Sequence, residues 1–515
     1  MEDPSDLACL SQSQQHVLET FSKPAHLHPT LPQYTQIQRA VDSLGHHIPS
    51  SGYGIKKTTA HLLGDVVPAL NGQALSPNYY GFVTGSVTPA ARIADTLVST
   101  YDQNVGVHLP ETTIATELED RALVFLLELL HFNVEAWPGR TFTTGATASN
   151  IIGLACGREF IVNNAINRRS KNRMGSREET VGECGLLAAC RAADITDIQV
   201  LTTMPHSSLQ KASSVVGLGR ACFQRVSISE SDIAFDLDVL EDRLKRPHTV
   251  SIVVISCAEV NTGLFATRSY LEVARLRALC DKYGSWLHVD AAFGLFARIL
   301  DDSQEFRYIS DGAKGLELAD SIAGDAHKLL NVPYDCGFFF CRHAGLAQQV
   351  FQNPNAAYLS SGSSTTGMIQ SPLNVGLENS RRFRALPVYA TLISYGRIGY
   401  KDMLQRQIRF ARRIAWYIHQ HRDFDLLPLS LHDETSINQW IYIIVLFRAK
   451  EDALNDTLVR RLNASCKMYV SGTTWENQQA CRIAAANWQV DPERDSALVQ
   501  EVFERVLRDW QHETS

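Results

Sequence analysis

The sequence predicts an α/β protein: a large domain with a mainly parallel central sheet flanked by helices, plus a small α+β C-terminal domain. Three observations predict it. Short β-branched runs alternate with amphipathic helical stretches through the centre of the chain. Polar residues follow the ends of several of those runs, and beyond residue 390 two helical stretches bracket one strand-like segment. Strand, helix, strand in that order implies crossover connections and parallel neighbours, and such sheets gather ligands at the carboxyl ends of their strands.

The elements follow in order. Residues 1–75 form an N-terminal segment whose first fifty or so residues, rich in Pro, His, Gln and Ser, read as an irregular arm with one helix. Residues 76–390 form the large domain and 391–515 the small one. At 112–130, TTIATELEDRALVFLLELL repeats apolar residues at helical spacing with acids on the other face. Residues 163–180 are polar and mixed in charge, which predicts a solvated loop rather than a basic patch. Candidate strands are QVLTT (199–203), TVSIVVIS (249–256), SWLHV (285–289), DSIAG (320–324) and GFFFC (337–341). Between the second and third lies the helical SYLEVARLRALCDKYG, with Gly284 as its stop. In the small domain, QRQIRFARRIAWYIHQH and DSALVQEVFERVLRDW bracket IYIIVLF (441–447).

Composition narrows the functional classes. The chain has 515 residues, 45% hydrophobic and 20% charged, with a formal net charge of −7. Nothing in that balance favours nucleic acid, so small molecules or another copy of the chain are the expected partners. The start, MEDPSDLACLSQSQQ, carries acids where a secretory leader has bases, and no apolar run reaches the roughly eighteen residues of a membrane span. The eleven cysteines are scattered; neither Cys184/Cys190 nor Cys336/Cys341 has the spacing of a zinc or redox site. The expectation is a soluble cytoplasmic protein with reduced thiols and no metal.

Three segments carry polar residues after predicted strand ends, and a fourth is a turn entering a helix. GDAHKLL holds Lys328 with His327 beside it, HVDAAFG holds Asp290 followed by Ala291 and Ala292, and MPHSS holds His206. TTGATASNIIGLACG (143–157) is a small-residue turn entering a helix, with Ala148 and Ser149 near its opening amides. Singly, each has an ordinary reading: a snorkelling lysine, a capping aspartate, a loop, a satisfied histidine. Jointly they match what pyridoxal 5′-phosphate demands. An amine must form a Schiff base, a carboxylate must face the pyridine nitrogen, helix amides must hold the phosphate and something flat must cover the ring.

GDAHKLLNVPYDCGFFF, WLHVDAAFG and TGATASN resemble the group II pyridoxal-dependent decarboxylases, which include aromatic-amino-acid, glutamate and diaminobutyrate decarboxylases. The resemblance runs from about Ser76 to about Trp488. It implies a fold type I enzyme, a homodimer with active sites at the interface, and decarboxylation of an L-amino acid to an amine and CO2. Residue by residue it implies that Lys328 carries the cofactor, Asp290 partners the pyridine and Ala292 packs below the ring. His206 then stacks on the ring, Ala148 and Ser149 bind the phosphate, and His327 precedes the lysine. By the same resemblance Tyr79, Tyr80 and Phe82 in PNYYGFVTG line the substrate pocket, and ENSRRFRALPVY (378–389) lies near the dimer interface.

Two departures stand out. Decarboxylating relatives carry a mobile loop whose tyrosine returns a proton after CO2 leaves; the corresponding stretch 360–380 has no tyrosine. Either another acid, such as His206 or a partner residue, returns that proton, or oxygen intercepts the carbanion and an aldehyde results. The glycine- and serine-rich make-up still suits a lid. Asp325 also stands where many relatives have asparagine near the phosphate, and repulsion predicts that it turns away, toward a backbone group. The alternatives to an amine-forming decarboxylase are therefore an aldehyde synthase or, with both Lys328 and Asp290 intact, the less favoured non-catalytic dimeric scaffold. The amino-acid substrate stays open: the tyrosines and Phe82 permit an aromatic one without requiring it.

Overall fold

The computed structural model describes residues 4–169, 180–229, 233–353 and 369–515. The chain forms two compact units: Val87–Gln405 with Asp433–Tyr442, and Met1–Ser86 with Arg406–His432 and Ile443–Ser515. This grouping differs from three successive segments, and residues 78–80 supply the reason. The Tyr469 N–H donates to the Asn78 carbonyl at 3.1 Å, the Tyr80 N–H to the Tyr469 carbonyl at 2.9 Å, and the Ala484 N–H to the Tyr80 carbonyl at 2.9 Å. Backbone pairing thus knits the end of the N-terminal segment to the C-terminal residues.

The larger unit is built on seven strands: β1 (Gly139–Thr143), β2 (Asp197–Thr202), β3 (Phe223–Arg225), β4 (Thr249–Ser256), β5 (Trp286–Asp290), β6 (Ser321–Asp325) and β7 (Gly337–Cys341). Their order is β1-β7-β6-β5-β4-β2-β3, with β7 antiparallel to both neighbours and β6, β5, β4, β2 and β3 parallel. All five candidate strands are strands. Ile252 to Ile255 are fully buried, as is most of β5, which explains their near-continuous apolar runs. Each such side chain contributes about 1.5–3 kcal/mol by leaving water. Among the flanking helices, Ala115–Leu129 fills the predicted 112–130 pattern. Tyr270–Tyr283 begins where the Ser269 side chain accepts from the Glu272 N–H and stops at Gly284, whose φ of 71° suits glycine.

The helix Ala146–Arg169 extends into the stretch expected as a loop. Buried Ile166 continues its apolar face, and Arg168 and Arg169 suit its carboxyl end. Residues 170–179 of that loop lie outside the described residues.

The smaller unit carries an antiparallel sheet of β8 (Phe424–Leu427), β9 (Ile444–Ala449), β10 (Ser471–Trp475) and β11 (Gln478–Ala484), ordered β10-β11-β9-β8, together with the helix Pro492–Thr514. Its N-terminal part is more helical than an irregular arm, with helices at Pro4–Ser22, Tyr34–Ser43 and Gly54–His61. The Gln, Ser and His residues that suggested irregularity largely occupy exposed faces, and Gln33 and Gln36 form a capping box at the second helix. All eleven cysteines are free thiols. Among the described residues no helix is long and apolar enough to cross a membrane.

Candidate active site

Strand periodicity and helix periodicity meet at one layer of the larger unit. Side chains two apart share a strand face, so Trp286, His288 and Asp290 form one row on β5, and Ser321, Ala323 and Asp325 form the next on β6. Both rows face the helix Ala146–Arg169, whose residues 146, 150, 153 and 157 share one stripe. Two glycines let the helix come close. A Cβ on Gly153 would lie 2.5 Å from His288 Cε1, and one on Gly157 would lie 2.7 Å from Trp286 Cδ1.

Asp290 is buried, and its Oδ2 accepts from Asn150 Nδ2 at 3.1 Å. Burial raises its pKa above the ordinary value; nearby His206 and Lys328 and the Asn150 N–H pull it down without offsetting that penalty. Asn150 Oδ1 accepts from His288 Nε2 at 2.9 Å, so His288 carries its proton there, and its Nδ1 accepts from the Ser321 hydroxyl at 2.7 Å. Ser321 Oγ in turn accepts from Trp286 Nε1 at 3.0 Å. His288 is wholly buried, and desolvation lowers its pKa to about 3, so it is neutral.

The second Asn150 N–H points to Ser208 Oγ at 3.4 Å, and that hydroxyl lies 2.6 Å from His206 Nδ1. The Ser208 N–H also donates to Nδ1 at 3.2 Å, which makes Nδ1 an acceptor and leaves the proton of the neutral ring on Nε2. His206 caps the helix Ser207–Val215 with its ring open to solvent, yet crowding by the surrounding protein lowers its pKa.

Lys328 sits in the turn after β6, its Nζ 2.8 Å from Asp325 Oδ2 and 5.7 Å from the Phe293 ring centre. Asp325 does find a backbone group, as expected, but that group is the Ala146 N–H at the helix opening, 2.5 Å away. It therefore turns toward the opening amides rather than away from them. Burial would raise its pKa, but Lys328, His327 and that amide outweigh burial and hold it below the ordinary range. His327 Nδ1 accepts from the Cys336 N–H at 3.2 Å, and its ring packs 4.3 Å from that of Tyr334.

At the helix start, the Ser149 hydroxyl donates to the Phe338 carbonyl at 2.9 Å and its amide to the Gly145 carbonyl at 3.0 Å. The amides of Thr147 and Ala148 are the ones that an α-helix leaves without an internal partner. The Ala292 carbonyl accepts from the Asp325 N–H at 3.3 Å, tying the ends of β5 and β6 together. In the 378–389 segment, Arg381 is buried against Glu119, and Arg384 pairs with Asp335 at 2.7 Å.

Tyr79, Tyr80 and Phe82 belong to the smaller unit. Tyr80 is buried, stacked on Phe410 at 5.2 Å and donating to Asn78 Oδ1 at 2.9 Å. Tyr79 stacks on Tyr469 at 4.5 Å, and Phe82 is 61% exposed. Of the expected lid 360–380, residues 360–368 lie outside the described residues.

The larger unit thus gathers Lys328, Asp290, His206, His327, Ala148, Ser149 and Ala292 around the ends of β2, β5 and β6. An amine, a buried carboxylate lacking a cation of its own and open helix amides are the donor set a pyridoxal phosphate needs. Asn150, His288, Ser208 and Ser321 were missed. The signal for one of them was present: alternation in Trp-x-His-x-Asp puts His288 on the face of Asp290.

A model of the pyridoxal-dependent decarboxylase conserved domain matches residues 66–436. L-2,4-diaminobutyrate decarboxylase of Acinetobacter baumannii is 29% identical over 287 residues, 56% of this chain and 52% of that protein, so the match spans about half of that relative. Phenylacetaldehyde synthase of a Rosa hybrid cultivar is 24% identical over 427 residues, covering 79% of this chain and 75% of that one. A crystal structure of Oryza sativa TDC with PLP and tryptamine aligns with a TM-score of 0.79 at 20% identity over 99% of both chains, a likeness of fold.

Proposed function

Because this chain belongs to the pyridoxal-dependent decarboxylase family and is a pyridoxal-phosphate-dependent carboxy-lyase, we propose that it converts an L-amino acid to an amine and CO2. In this reading Lys328 carries the cofactor and Asp290 faces its pyridine nitrogen. The observation that carries the assignment is the arrangement itself: Asp290 closes β5 and Lys328 follows its parallel neighbour β6, and both strand ends bond to the opening turns of one helix.

When bound, the cofactor supplies the electron sink that accepts the pair left by the departing carboxylate. The chain's own residues do the rest. Asp290, costly as an isolated buried anion, favours a cationic ring nitrogen opposite it. The Thr147 and Ala148 amides receive the phosphate at the helix opening. His206 presents a proton on Nε2 and stands in for the absent loop tyrosine as the group that returns a proton. Phe82 is the exposed one among the three aromatic residues of its segment.

A second reading has its own support in the tyrosine-free stretch 360–380 and the resemblance to a phenylacetaldehyde synthase. There the amino acid, O2 and water would give aldehyde, CO2, ammonia and hydrogen peroxide. Measuring CO2, amine, ammonia and peroxide against a panel of amino acids separates the two. Amine equal to CO2 supports the first reading; peroxide and ammonia equal to CO2, without amine, replace it. An absorption band of bound cofactor that vanishes in Lys328→Ala is expected. No band in the parent protein at saturating cofactor would overturn both readings in favour of a scaffold.

A homodimer is part of the same proposal. Leu7, Leu10 and Leu18 on the first helix are each more than half exposed, an apolar surface that a second copy would cover. Light scattering at twice the chain mass supports it; a monomer at working concentration removes it.

A further inference from the structure

We propose that Asn150 is a positioning residue: anchored by His288, its one carboxamide orients Asp290 and holds the Ser208 hydroxyl against His206 Nδ1. The inference rests on the reading that Asp290 and His206 face the cofactor, and it concerns how they are prepared for it.

With Asp290 ionised and able only to accept, Asn150 turns its amide to it and its oxygen to His288, and the remaining bonds follow in one direction. Trp286 Nε1 can only donate, so Ser321 Oγ accepts there and keeps its own proton for His288 Nδ1, which accepts it once Nε2 carries the ring proton. His288 then donates through Nε2 to Asn150 Oδ1, which fixes the amide so that both N–H groups point toward the site. One N–H meets Asp290 Oδ2 and the other meets Ser208 Oγ, whose proton goes to His206 Nδ1. Every donor in this chain points toward the two candidate site groups, so it favours Asp290 as an anion and His206 as the Nε2–H form. A flipped Asn150 would place its oxygen against the carboxylate.

The relay is also built into the packing. Gly153 and Gly157 remove the side chains that would strike His288 and Trp286, so the helix presents Asn150 at the depth of Asp290. His288 is wholly buried and neutral, and takes no part in the chemistry proposed above. Satisfying a buried histidine needs only nearby backbone carbonyls. This chain instead ends on Asp290 and His206.

The groups bearing on Asp290 are His206, Lys328, Asp325 and Cys257, and those on His206 are Asp290, Lys328, Glu259 and Asp325. Removing the Asn150 donor leaves these charges in place and makes the Asp290 anion harder to form. Cofactor binding that depends on that anion should then fail at a higher pH as the solution is acidified.

The test uses the full-length protein and titrates pyridoxal 5′-phosphate by absorbance across pH, in parent, Asn150→Ala, His288→Phe and His288→Gln. ¹⁵N spectra of the histidine rings are recorded in parent and Asn150→Ala. Asn150→Ala and His288→Phe should weaken cofactor binding by about tenfold, the scale of one hydrogen bond to a charge, and should move the acid limb of the profile upward. His288→Gln, whose amide nitrogen reproduces the Nε2 donor, should restore both. In Asn150→Ala the His206 Nδ1 signal should shift as the Ser208 hydroxyl is released, while the Ser208 amide keeps the proton on Nε2.

Parent-like affinity and acid limb in Asn150→Ala would overturn the proposal. A His288→Gln protein indistinguishable from His288→Phe would remove the His288 anchor from it, and an unchanged His206 Nδ1 signal would remove the Ser208 half. Should His288→Phe unfold, Asn150→Ala and His288→Gln carry the same test. Failure of the parent protein to bind the cofactor would instead strike the functional reading, a separate result.

Discussion

Asp290 and Asp325 end neighbouring parallel strands, face the same helix and are both buried, yet their surroundings push them apart. Asp325 already has a cation in Lys328 and an amide in Ala146, and is held below the ordinary carboxylate range. Among the described residues Asp290 has one side-chain amide donor and no ion pair, and burial holds it above that range. Environment, not residue type, separates the two. Asp290 lacks a positive charge at its side to ease its ionisation, whereas Asp325 is satisfied, and in the proposed reading cofactor loading would disturb its ion pair.

That contrast is broken most directly by neutralising each carboxyl in turn. Asp290→Asn removes the charge that favours a cationic pyridine, and cofactor affinity should fall about 10- to 100-fold, with catalysis lost alongside it. Asp325→Asn should act in the opposite direction. It frees Lys328 and removes a negative charge from the helix opening where the phosphate is expected, so affinity for pyridoxal phosphate should rise, by up to about tenfold. Spectroscopic titration of both variants checks the pair. Weakening in both would mean that Asp325 contributes to holding the cofactor, and the contrast would be lost.

The two carboxylates were not equally legible. Asp290 was found because it follows a β-branched run and precedes two alanines, a local pattern. Asp325 was expected to turn from the phosphate because a carboxylate and a phosphate repel. Sequence could not show that the opening amide of a helix 179 positions earlier lies within its reach, nor that Lys328 would pair with it. The strands were legible because burial on both faces makes them continuously apolar, as in 252–255. The N-terminal helices were not, because their exposed faces carry turn-like residues. Nor was the joining of residues 78–80 to Tyr469 and Ala484, which is backbone pairing and leaves no side-chain signature. Asn150 escaped notice for a different reason: its role exists only once helix and strand are brought together.

The smallest effect is also the one that tests the contrast without any cofactor. Asp290 has a folded pKa above its ordinary 3.8, so its ionisation costs stability at neutral pH. That cost shrinks as pH falls through the folded value and is gone below 3.8, where folded and unfolded forms are both protonated. Asp325 has a folded pKa below 3.8, so its stabilising contribution is complete above 3.8 and disappears only as pH falls further. In cofactor-stripped protein at neutral pH, Asp290→Asn should therefore stabilise and Asp325→Asn destabilise, each by about 1 kcal/mol. Near pH 3.8 the gain from Asp290→Asn should have vanished while the loss from Asp325→Asn remains. Denaturant unfolding at these two pH values reads both signs, and shifts of the same sign at neutral pH would show that the two strand ends share one electrostatic environment.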